Sequence, residues 1–314
     1  MLSRYADVSA AFRCSSLAPS GPHSEGSELI DENARLKMRA ETLEALSPIQ
    51  LRSWRERLTP QAYDLVDRFS DEQTVDLIGD YARPLCLSLG AMVTGISLQY
   101  AERLQEKARQ VSAGSAEPYD ACLQASAKSA NAKLHKCFHS GPKALRGSGF
   151  VALSQTMPCI LGNAWFGLMQ HPKEWLLLHR HPELMDQAIE ELLRYAGLVR
   201  VLFRRATEDV DISGALIRKG ERVILRIIAA NRDPNRFFDA NEIYVTRRGA
   251  GHLAFGGGAH SCVGASLIRM AAATISYPLL KKFAEATPVD SVDWQGGSGF
   301  RSPESLRVRL VQLR

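Results

Sequence analysis

The chain has 314 residues, 45% of them hydrophobic and 23% charged, enough for a substantial core in one large domain or two smaller ones. Its formal net charge is +5, but Lys and Arg are scattered among Asp and Glu, which argues against nucleic-acid binding and is compatible with a basic face that steers an acidic partner. Six cysteines form no CxxC pair and no dense framework, which argues against a disulfide scaffold.

The opening MLSRYADVSAAFRC lacks the charged-then-apolar layout of a signal peptide. No stretch approaches the roughly 20 apolar residues of a bilayer span, so a cytoplasmic protein with no membrane segment is expected. The stretch 77–96 is interrupted by Asp80 and Arg83 and reads as a buried helix. Helical spacing of apolar residues predicts helices over 33–46, 50–69, 75–96, 99–111, 119–138 and 182–195. Polar Pro/Gly/Ser-rich stretches at 15–27, 112–118, 140–149 and 296–302 read as surface loops. Strand candidates are confined to 200–206, 222–228 and 306–313, where β-branched and aliphatic residues cluster. The expectation is one domain over 1–314, mainly α with a small β region.

Chemistry concentrates at residues 255–264, FGGGAHSCVG, just before the Ala-rich run 265–277. That layout puts Cys262 at a helix entrance, where unpaired N–H groups and the helix dipole favour the thiolate, the form that binds iron. Gly256, Gly258 and Gly264 suit a backbone that turns sharply and lies against a flat macrocycle. His260 can reach an anionic group at the macrocycle edge. Most cysteines in Gly-rich turns are inert, but Phe-Gly-x-Gly-x-His-x-Cys-x-Gly arises by chance in a chain of this size on the order of once in a million.

This motif resembles the haem-binding loop of the cytochrome P450 family. The resemblance covers most of the chain, because EELLRY, FRRATEDVDI, ANRDP and HLAFG precede the loop in the family's order and approximate spacing. It implies a P450-like fold with one haem b whose axial iron ligand is Cys262, in a loop that includes Phe255. It implies that Arg204 and His260 meet a haem propionate, and that Glu191, Arg194 and Arg247 form a buried ion network. ENARLKMR is similar to the helix that presents a His and an Arg to the propionates; those places hold Asn33 and Lys37, and Lys37 could act only as a point charge. MLSRYADVSAAFR is similar to the segment leading into the substrate-covering loop, so the usual first helix and part of the first sheet are expected to be missing. The roof, residues 99–140, looks compressed, which implies an open pocket or one closed by a second protomer or a partner protein. Pocket walls are expected from 15–27, 152–156, 198–202 and the surroundings of Gln295.

The family's central helix carries Ala-Gly-x-acid-Thr over the haem; here the run is Ala152, Leu153, Ser154, Gln155 and Thr156. Gln155 cannot titrate, so a proton relay would run through Ser154, Thr156 and water. Pro158 should bend or bulge the helix. The resemblance implies monooxygenation of a small organic substrate, in secondary metabolism, with dioxygen and electrons from a ferredoxin and its reductase, the chain having no flavin or iron–sulfur motif. Arg269, on the helix after Cys262, is expected at the ferredoxin docking face. Alternatives kept open by Leu153 and Gln155 are a peroxygenase, an isomerase or dehydratase working at the iron, and a non-catalytic haem or partner protein. His135, Cys137 and His139 are set aside as a metal site, since helix positions two apart diverge. Trp54, Trp165, Trp175 and Trp294 are expected in the core or at an interface.

Overall fold

In the computed structural model, which describes residues 1–21, 32–139, 141–249 and 251–313, the chain opens on helix α1 (Tyr5–Arg13) and strand β1 (Leu17–Pro19). The expected loop at 15–27 lies outside the described residues beyond residue 21. Helices α2 (Glu32–Ala45) and α3 (Pro48–Asp67) follow, then β2 (Thr74–Asp76), a π-helical turn Leu77–Ala82, and α4 (Arg83–Thr94). The predicted single helix over 75–96 is therefore a strand, a π turn and a helix. Asp76 makes the break: its carboxylate accepts the N–H groups of Ile78 and Leu306, fixing the turn and a strand contact together.

Helices α5 (Leu98–Ala116) and α6 (Ala121–His135) pack as an antiparallel pair. The loop expected at 112–118 is mostly the last turn of α5. There Gly114 lies so close to α6 that a methyl group would fall 2.6 Å from the Ala127 side chain, so the glycine serves helix contact rather than a turn. After α7 (Ser148–Val151) comes a π-helical segment Ala152–Thr156, then α8 (Met157–Met169), α9 (Pro172–Arg180) and α10 (Met185–Ala196). Pro158 in the first turn of α8 has no N–H to give, and the bulge expected of it lies directly upstream.

The remaining elements are β3 (Val201–Ala206), β4 (Val210–Ile212), β5 (Ala215–Ile217), β6 (Arg222–Arg226), α11 (Ile227–Asn231), α12 (Ala265–Lys282), β7 (Glu285–Pro288), β8 (Trp294–Gly296), β9 (Arg301–Pro303) and β10 (Arg307–Val311). β1, β3 and β6 form one antiparallel sheet with β3 central; β2, β10 and β7 form another with β10 central. β4–β5 and β8–β9 are hairpins. The opening segment, expected only as an approach to a loop, is thus helix α1, with Leu2 bridged to Leu225 of β6.

The main core joins α3, α4, α8, α9, α10, α12 and the β2–β10–β7 sheet. α12 is buried almost all round, as its Ala-rich sequence allows. Indole and phenol donors lock it in place: Trp165 Nε1 on α8 donates to Ser276 Oγ at 3.0 Å, Tyr81 Oη to the Ile275 carbonyl at 2.7 Å, and Trp175 Nε1 to the Phe283 carbonyl at 3.0 Å. Trp294 differs from the other tryptophans: it is 38% exposed on β8, with the Arg301 guanidinium over its ring. Among the described residues no single helix is long and apolar enough to cross a membrane; one pair, bent by 106°, passes on length and composition.

Candidate haem-binding site

The loop before α12 is built by backbone hydrogen bonds. Asn231 Oδ1 accepts the Leu253 N–H at 2.7 Å, and the Phe255 carbonyl accepts the Cys262 N–H at 2.8 Å, folding residues 255–262 back on themselves. Gly256 and Gly258 have φ of +69° and +64°. A methyl group on Gly258 would lie 2.3 Å from the Phe12 carbonyl oxygen, and one on Gly257 would lie 3.2 Å from the Phe12 Cβ. The glycines at 257 and 258 make room for α1. At Gly264 a methyl group would meet Cys262 Sγ at 3.9 Å and nothing nearer among the described residues.

The Cys262 side chain is exposed at the entrance of α12. The thiol is raised above its usual range, contrary to the expected bias toward thiolate: loss of water around the group is the largest influence, and outweighs the Gly264 N–H and the charges of Arg39 and Arg269, which act in the opposite sense. Deprotonation at such a site is left to a bound metal, which ionises a coordinating thiol outright.

On α2 two further residues, not singled out from the sequence, reach the cysteine loop. Arg35 Nη1 donates to the Ala259 carbonyl at 2.9 Å; Arg39 donates to the Ser261 carbonyl at 2.8 Å and to Ser261 Oγ at 3.0 Å. Asn33 and Lys37 are exposed. The physical reason is helical phase: 35 and 39, four apart, share a face, and 37, two along, lies across the helix from both. The Arg-x-x-x-Arg spacing was the available signal.

Arg204 on β3 is only 6% exposed. Its guanidinium donates to the Phe203 carbonyl at 2.9 Å and lies over the Phe12 ring, and among the described residues it has no carboxylate partner. Burial pulls its pKa down, the mark of a cation that lacks an anion. His260 sits exposed in the 3₁₀ turn Gly258–His260.

Below the loop, Glu191 and Arg194 of α10 are fully buried and bidentate, at 2.7 and 2.8 Å. Arg247 Nε meets both Glu191 oxygens at 3.0 Å, and Arg194 also donates to the carbonyls of Asn231, Ala240 and Glu242. Every polar atom finds a partner, so these three residues tie α10 to the segment before the loop.

At the π-helical segment, Leu153 is buried in the main core facing Gly90 of α4, so its extra bulk is absorbed there. Ser154 Oγ donates to the Phe150 carbonyl at 2.7 Å, and Gln155 Nε2 lies 3.4 Å from Ser154 Oγ. Ala152 and Thr156 are half-buried. Ser154 and Gln155 form one wall of a cavity of about 560 Å³ whose other walls come from the start of α4, from α5 and the residue after it, and from the β8–β9 hairpin and the residue after it, and carry Arg83, Glu106, Arg109, Glu117, Arg301 and Glu304. Gln295 is in that wall, as expected; Thr156 is not.

These residues fit the haem that the sequence implies. Haem would bring an iron for the accessible thiol at a helix entrance and carboxylates for a buried arginine that has no carboxylate partner among the described residues. Comparison with known proteins points the same way. The family model for cytochrome P450 matches residues 179–303. The chain is 42% identical over 146 residues to nocardicin C N-oxygenase of Nocardia uniformis subsp. tsuyamanensis, and 38% identical over 160 residues to a biotin biosynthesis cytochrome P450 of Bacillus subtilis (strain 168). Those alignments take in 45% and 50% of this chain but only 37% and 40% of the two relatives. Likeness of fold extends further: the crystal structure of P450BioI in complex with hexadec-9Z-enoic acid ligated acyl carrier protein superposes with a TM-score of 0.88 at 25% identity, covering 98% of this chain and 91% of that one. With a thiol loop, an interlocked Glu191–Arg194–Arg247 network and a matching fold in place, the chain is similar to the cytochrome P450 family, whose members carry haem b, over residues 179–303 in sequence and over nearly its whole length in fold.

Proposed function

We propose that this protein is a haem-thiolate monooxygenase that oxidises a small organic substrate of secondary metabolism with dioxygen, drawing electrons from a separate ferredoxin and its reductase. The observation that carries the reading is the accessible Cys262 thiol set within the field of Arg39 and Arg269, together with the buried Arg204, which has no carboxylate partner among the described residues. Names of relatives in nocardicin and biotin biosynthesis support a biosynthetic substrate. When bound, haem supplies dioxygen activation assisted by electron donation from the thiolate. Cys262 is the proposed iron ligand. Arg204, His260 and Arg39 would hold the carboxylate edge, with Lys37 left to solvent. Phe255, Gly256, Gly258 and Gly264 hold the loop in shape.

Protons are proposed to reach the site through Thr156 and ordered water. Ser154 has its own proton engaged on the Phe150 carbonyl, so it serves first as an acceptor, and Gln155 orients water without titrating. The test is the absorption spectrum of the reduced protein under carbon monoxide. A strongly red-shifted Soret band in the wild type, lost in Cys262→Ser, is expected. A band at the shorter wavelength of a thiol or imidazole complex in the wild type would overturn the reading.

The engaged Ser154 hydroxyl and the amide of Gln155 favour one second reading, a peroxide-driven oxygenase, because peroxide arrives already reduced and needs a shorter relay. Turnover with peroxide and none with dioxygen, ferredoxin and reductase would select it.

A further inference from the structure

Arg269 lies near the start of α12, where the sequence suggested a docking charge for a redox partner. The structure engages it inside the chain. Its guanidinium donates twice to Glu190, at 2.5 and 3.0 Å, and lies 4.7 Å from the centroid of the Phe255 ring. Phe255 in turn accepts the Cys262 N–H through its carbonyl. His252 completes the group. Its side chain is 2% exposed, its Nδ1 accepts the Ala254 N–H at 3.2 Å, and its Nε2 stands 3.4 Å from Glu190 Oε2.

Glu190 is held ionised. Burial, the largest influence, pushes its carboxyl up, but the hydrogen bonds and charges of His252 and Arg269 bring it down to about 2. Two successive acids on α10 therefore do different work. Glu191 anchors Arg194 and Arg247 beneath the fold, while Glu190 reaches the other way, to the back of the cysteine loop.

We propose that Glu190 and Arg269 form an electrostatic clamp behind the Cys262 loop that sets the reduction potential of the haem iron, with Arg269 a positioning residue for Phe255 and not a docking charge. The inference rests on the haem-thiolate reading above. A fixed cation near the thiolate stabilises the reduced state, which carries one more negative charge, and the carboxylate beside it tempers that effect. Removing either member should therefore move the potential in opposite directions.

The experiment is redox titration of the haem-loaded protein, wild type and variants, with the carbon monoxide spectrum of each as a control. Arg269→Gln should lower the potential, Glu190→Gln should raise it, and the double variant should return toward wild type. Arg269→Lys, which keeps the charge and loses the bidentate grip, should recover part of the Arg269→Gln loss. A merely structural role would destabilise both single variants without giving potentials of opposite sign. Single variants that shift in the same direction, or not at all, while retaining the red-shifted band would overturn the clamp. Absence of that band in the wild type would instead strike the haem-thiolate reading.

Discussion

Arg204 is a buried cation with no carboxylate partner among the described residues. A guanidinium buried without an anion destabilises the protein that holds it, and removing such a charge is often neutral or favourable. Arg204→Leu is therefore expected to raise the thermal midpoint of the haem-free protein while weakening haem retention, measured by calorimetry and by haem transfer to an acceptor apoprotein. A fall in both would mean that the arginine is needed for packing over Phe12 instead. Arg39 makes the contrasting case, because its donors are already engaged by Ser261. The pairing of Glu191 with Arg194 and Arg247 was legible in the sequence through the ordered motifs that carry the family resemblance. Arg35, Arg39, Glu190 and Phe12 were not singled out, since their contacts with Ala259, Ser261, Arg269 and Gly258 depend on how distant segments pack against one another.

At the scale of elements, the cysteine loop and α1 define each other. Gly258→Ala would place a methyl group against the Phe12 carbonyl at a positive φ, and a loss of about 1–3 kcal/mol in denaturant unfolding is expected. Gly264→Ala meets open space next to Cys262 Sγ, so the haem-free protein should tolerate it, with the penalty appearing in haem affinity alone. The two variants separate a glycine that serves the chain from one that serves the ligand. The π-helical segment before α8 has an equally local cause in Pro158, which is why its bulge could be anticipated. The strand at Thr74–Asp76 could not, because it exists only by pairing with Arg307–Arg309 at the far end of the chain.

For the whole molecule, acid stability should follow the carboxylates held low by tertiary partners. Glu190, depressed from 4.5 to about 2, stabilises the folded state fully above pH 4.5 and loses that contribution as pH falls toward 2. Asp76 acts in the same sense: burial raises its pKa, but the N–H groups of Leu306, Gly79 and Ile78 and the Ser305 hydroxyl lower it further. Acid titration followed by circular dichroism should show wild type losing stability across pH 4.5 to 2, and Glu190→Gln should flatten that part of the curve; an unchanged slope would remove Glu190 from the account. The sequence by itself determined the helical character and, through the ordered motifs of the family resemblance, the Glu191–Arg194–Arg247 network, because periodicity and the order of motifs are written in the linear chain. Only the tertiary structure decided which arginines of α2 reach the loop, what Gly258 makes room for, and that Arg269 is claimed by Glu190. Those outcomes depend on helix phase and on contacts between distant segments, which a linear pattern does not encode.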